Sequence, residues 1–152
     1  MIRKLASLAA LLSLLVVSAW AYDSSSVRRE ITTTATASHG CAPWDGRTID
    51  LKVTIGTSSI VSLQIWNDGL AKLTPGSDLA LDTTGDMNGD GSLTVCEEAL
   101  PCSYPGGRLH VDSYTEGESF SGQVFWNMTD GTGREFSAPF SAVWDHAQQI
   151  CG

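Results

Sequence analysis

The chain has 152 residues, enough for one domain with a real hydrophobic core, and carries 17 acidic against 9 basic side chains for a formal charge of −8. That balance argues against nucleic acid and anionic membranes as partners. Its four cysteines lack the paired C-x₂-C spacing that a four-cysteine metal site needs.

Residues 1–21 have the layout of a secretory signal peptide. Arg3 and Lys4 form a charged start, Leu5 to Val17 an apolar run, and Ala19-Trp20-Ala21 a small-residue cleavage site. The apolar run is too short to span a bilayer. Removing Arg3 and Lys4 takes the basic count from 9 to 7 against 17 acids, so the mature chain, starting near Tyr22, carries −10. A secreted or periplasmic location follows, and with it an expectation of two disulfides. Of the three connectivities, Cys41–Cys151 and Cys96–Cys102 are preferred, the first joining the two ends of the core.

Residues 22–38 read as a polar leader running into a first strand, where Ile31, Thr33, Ala35 and Ala37 alternate with polar neighbours; residues 39–152 read as the β domain. The clearest strand is Thr48 to Gly56, with Ile49, Leu51, Val53 and Ile55 on one side and Asp50, Lys52 and Thr54 on the other. Ile60 to Trp66 is its hairpin partner. Asn67-Asp68-Gly69 then turns the chain into Leu70 to Leu73, and Asp78 to Asp82 is a further short strand. Past Pro105-Gly106-Gly107 the alternation resumes in Arg108 to Tyr114. It continues inward through Phe120, Gly122, Val124 and Trp126, and then through Phe136, Ala138, Phe140, Ala142 and Trp144. Pro139 marks an edge or a bulge. Short strands, regular turn signals and almost no helical periodicity predict an all-β fold, an antiparallel β-sandwich or small barrel.

Between those strands lies Asp86-Met87-Asn88-Gly89-Asp90-Gly91-Ser92-Leu93-Thr94-Val95-Cys96-Glu97. Its order matches an EF-hand calcium loop: side-chain oxygens from Asp86, Asn88 and Asp90, a turn at Gly91, the Ser92 carbonyl, Thr94 directly or through water, and a bidentate Glu97. The opening Gly85-Asp86-Met87-Asn88-Gly89-Asp90-Gly91 resembles a dockerin repeat, and the run with Cys96 before the final acid is similar to a thrombospondin type 3 repeat. The resemblance spans only residues 86–97 and implies a bound Ca²⁺. Breakers at Thr74-Pro75-Gly76-Ser77 and Pro101 deny the loop its flanking helices, and at most a turn or two of helix fits between Val95 and Leu100. A structural calcium clip between strands is therefore expected, not a sensor.

No nucleophile elbow, metal-protease helix or phosphate loop occurs, and no catalytic residue is assigned. The expectation is a non-enzymatic calcium-binding domain that presents an interaction surface. Two alternatives stand beside it. One is a carbohydrate-binding module using exposed tryptophans, with Trp66 beside a turn and Trp44 in a loop as candidates. The other is a small secreted inhibitor or interaction protein without metal, reaching an extracellular protein through its loops.

Overall fold

A computed structural model describes residues 33–42, 46–66, 68–82, 89–127 and 133–147. The chain divides into two compact units, Met1–Glu30 and Ile31–Gly152, and every described residue belongs to the second. The signal-peptide and leader readings therefore fall almost wholly outside the described residues.

Eight strands form: β1 Thr33–Cys41, β2 Arg47–Ile55, β3 Ser59–Trp66, β4 Asp78–Asp82, β5 Gly91–Glu97, β6 Gly107–Thr115, β7 Ser119–Asn127 and β8 Glu135–Asp145. One short helix, α1 Asp68–Ala71, lies between β3 and β4, in the segment where the sequence offered only a turn. The strands hydrogen-bond in the order β1-β2-β3-β5-β4-β6-β7-β8 and close into a barrel.

The expected antiparallel pairing holds at most seams but not all. β1 meets β8 in parallel from Ala35↔Ala142 to Ser38↔Asp145, and β4 meets β5 in parallel at Leu81↔Gly91 and Asp82↔Ser92. Closure requires the first, because the first and last strands run the same way. The second arises because β4 and β5 both leave the same end of the barrel, and β5 inserts between β3 and β4.

Alternation decides what is inside. Leu51 and Val53 of β2, Val61, Leu63 and Ile65 of β3, and Leu93 and Val95 of β5 are buried, as are Leu109 and Val111 of β6, Phe120, Val124 and Trp126 of β7, and Ala138, Phe140, Ala142 and Trp144 of β8. Phe120 and Phe140 meet edge to face at 5.2 Å, and Trp126 stacks on Phe136 at 5.9 Å. Pro139 precedes the stretch of β8 that pairs with β1, so its missing N–H costs that seam nothing.

Cys96 and Cys102 are bonded, as expected, and tie the exit of β5 to the following loop. Cys41 is also disulfide-bonded. Cys151, its expected partner, lies outside the described residues.

Candidate ligand-binding groove

The outward residues of four adjacent strands make a concave surface. Register sets them in two rows across the sheet. Thr36, Lys52, Ser62 and Thr94 face one another from β1, β2, β3 and β5, and Ser38, Asp50, Gln64 and Ser92 form the parallel row beside them. Together they line a groove of about 470 Å³ whose floor is the backbone at Leu51 and Leu63.

Asp50 is the fixed point. Thr48 Oγ1 donates to its Oδ1 at 3.2 Å and Gln64 Nε2 donates to the same oxygen at 3.1 Å. Thr48 is fully buried, so the carboxylate is steered by a side chain that cannot itself move into solvent. Gly40 completes the fit: a Cβ there would collide with Asp50 Oδ2 and Thr48 Oγ1. The groove thus offers one carboxylate, one ammonium, one amide and five hydroxyls. The hydroxyls and the amide both donate and accept.

Of the residues expected to hold calcium, Asp86 and Asn88 lie outside the described residues, and Glu97 stands apart from Asp90. Gly91–Glu97 is a β-strand paired with β3 from Ile65↔Gly91 to Ser59↔Glu97, not the second half of a metal loop. At ~3.3 Å per residue, Glu97 lies roughly 23 Å along the strand from Asp90, whereas oxygens on one calcium ion sit within about 5 Å of each other. Glu97 also has the opposite strand parity from Asp90, Ser92 and Thr94. Ser92 and Thr94 belong to the groove.

Gly91 is needed for a different reason from the one its position suggested. It makes no left-handed turn; a Cβ at Gly91 would lie 2.5 Å from the Gln64 carbonyl oxygen, so the glycine lets β3 and β5 close up. Where at most a turn or two of helix fitted between Val95 and Leu100, β5 runs on to Glu97 and a turn follows.

Asp90 is buried and already engaged. Lys72 Nζ lies 2.5 Å from Oδ1, and the Ala80 N–H donates to Oδ2 at 3.0 Å. Its backbone joins two strands as well, accepting from Trp66 N at 3.2 Å and donating to the Ala80 carbonyl at 3.0 Å. The hydrogen bond to Asp90 holds the Lys72 ammonium above its ordinary pKa. Asp86 and Asn88 lie outside the described residues. No group of three or more His, Cys, Asp or Glu side chains is placed to hold a metal ion among the described residues.

Trp66 lies on the outward side of β3, as its parity implied, yet it is only 3% exposed and forms no open platform. Gly69 of the adjoining α1 packs against the backbone of Asp90, whose carbonyl accepts from Trp66 N. Trp44 lies outside the described residues.

Two charged clusters stand away from the groove. Glu116, in the β6–β7 turn, pairs with Arg47 of β2 and with His39 Nε2 of β1 at 2.9 Å, and His39 leans on Trp144. Burial pushes the Glu116 pKa up, but the His39 hydrogen bond and the Arg47 charge outweigh it and hold the carboxyl below its ordinary value. Burial, with the Glu116 charge, pushes the neighbouring Tyr114 up to about 12. On β4 and β6, Asp78 accepts from His110 Nδ1 at 2.9 Å and from Arg108 at 2.8 Å, and these two donors lower its pKa.

The polar alternation of β2 was visible in the sequence, but the groove was not, because nothing local says that β3 stands beside β5. The usable signal was the matching spacing of Ser62 and Gln64 with Ser92 and Thr94. No family model matches the chain, and no curated protein or solved structure matches it. No helix among the described residues is long and apolar enough to cross a membrane, which says nothing about crossing by strands.

Proposed function

We propose that this chain is an exported, non-enzymatic binding domain that seats its ligand in the groove over β1, β2, β3 and β5. The observation that carries this reading is the pair of cross-strand polar rows around a carboxylate fixed by Thr48 and Gln64. The expected signal peptide and the Cys96–Cys102 bridge support export. Rigid strands with locked rotamers limit the entropy lost on binding. The test is amide NMR of the isotopically labelled mature chain during titration with oligosaccharides and short peptides. Shifts gathered on β1, β2, β3 and β5 support the groove, whereas shifts confined to β6, β7 and β8 would sink it.

Calcium is a second proposal, confined now to the segment before β5. The order Asp86, Asn88, Asp90 supports it, and the place of Glu97 at the far end of β5 argues against its sharing the ion. Asp90 would have to surrender Lys72 to serve as a ligand, which weakens the site further. Melting in EDTA and then in millimolar calcium tests it. An unchanged melting temperature removes calcium from the account, and a rise abolished by Asp86→Ala retains it.

An inhibitor-like role has one supporting feature, the loop tied by Cys96–Cys102. It exposes Leu100 at 61% and contains the left-handed Ala99 at φ 67°. Loss of a protein contact on Leu100→Ala, with the groove intact, is the expected sign of that role.

A further inference from the structure

Resting on the groove as the ligand seat, we propose that its ligand is an uncharged, linear oligosaccharide lying across the strands along the two polar rows. The first argument is charge. Among the described residues, Asp50 and Lys52 are the only ionisable side chains lining the groove, and they sum to zero on a chain that is otherwise strongly acidic. An anionic ligand would meet Asp50 and a net-negative protein; a polycation would find a single carboxylate already sharing Oδ1 with two donors.

The second argument is hydrogen-bond type. Groups such as Ser62, Thr94 and Gln64 donate and accept, which suits sugar hydroxyls that do the same. Charged or purely accepting ligands leave half of that capacity unused.

The third argument is geometric. Neighbouring strands are ~4.8 Å apart, close to the length of one pyranose unit, so four strands offer about 14 Å, or about three units, per row. The β8 end of the Thr36 row is Val143, 71% exposed, an apolar contact of the kind a pyranose C–H face accepts.

An extended peptide is the competing ligand, and the barrel disfavours it. β1, β2 and β3 are each hydrogen-bonded on both sides beneath the groove, and the outer side of β5 is taken by β4 at Gly91 and Ser92 and by Ser103 at Val95, so a peptide finds no long open edge to join as an added strand.

The experiment is calorimetry and amide NMR of the mature, oxidised chain with neutral hexasaccharides (cello-, malto- and manno-hexaose), with oligogalacturonate and chitosan oligomers as charged probes, and with a mixed neutral hexapeptide. A neutral hexasaccharide should bind and shift amides of β2, β3 and β5. Asp50→Ala and Gly40→Ala should each weaken it by about tenfold, the loss of one hydrogen bond to a charged group. Asp112→Ala, on β6, should leave affinity within twofold, and unchanged amide spectra outside the groove certify that each variant folds. Binding of only the charged oligomers or the peptide in the groove overturns the ligand class and leaves the groove standing. Silence of the groove toward every probe overturns both, and a neutral sugar bound elsewhere overturns this proposal.

Discussion

Asp90 shows how one side chain can carry a metal's signature and at the same time anchor a buried ion pair. Its carboxylate is buried and receives an ammonium and a backbone N–H, which is what an unpaired buried charge requires. The neighbouring Asn, Gly and Asp residues make the local sequence read as an ion site. The neutralising group, Lys72, stands 18 residues upstream and becomes a neighbour only through α1 and the β4 crossover. No local pattern could have supplied it. Asp90→Ala should therefore lower the unfolding free energy by about 2 kcal/mol, because it leaves the Ala80 N–H and the Lys72 head without their acceptor. Glu97→Gln, at the far end of β5, should stay within about 0.5 kcal/mol. Urea denaturation of both variants, with and without calcium, measures the difference. Equal losses that appear only with calcium would restore the shared-ion reading.

Strand by strand, more was legible. Strict alternation in β2, β3, β7 and β8 fixed which residues point inward, since strand parity needs no knowledge of neighbours. β5 failed because Gly91 and the Asx-rich run before it outweighed the shorter alternation of Leu93 and Val95. The ties between elements were equally hidden. Glu116 reaches from the β6–β7 turn to β1 and β2, spanning 77 and 69 residues of sequence. With its folded pKa held below the ordinary value of 4.5, this carboxylate stabilises the fold above that value, and the contribution is lost as pH falls through the lower folded pKa. Tyr114, titrating only near 12, does not interfere in that range. Melting temperatures of the native chain and of Glu116→Gln should differ at neutral pH and converge in acid, once the pH has fallen below the lowered carboxyl pKa. A difference that persists in acid would mean that the glutamate acts through packing alone.

The whole barrel depends on a closure that joins Ala35 to Ala142 across most of the folded unit. Contacts so distant in sequence form only after the chain between them is ordered, because loop-closure entropy must be met first. β1–β2, β2–β3, β6–β7 and β7–β8 are local pairs that can assemble earlier, leaving the β1–β8 seam as the final step. Val143 isolates that step. It pairs with Thr36 of β1, lies beyond the last β7 partner of β8, Ala142, and is 71% exposed, so core packing hardly enters. Val143→Gly should cost about 1 kcal/mol through strand propensity and backbone entropy. If the seam closes after the transition state, that cost falls on unfolding: the unfolding rate rises roughly fivefold and the folding rate is unchanged. Stopped-flow folding and unfolding across a denaturant series reads both limbs. A slower folding limb with an unmoved unfolding limb would instead place the parallel seam in the nucleus, and the barrel would then have to close before its hairpins consolidate.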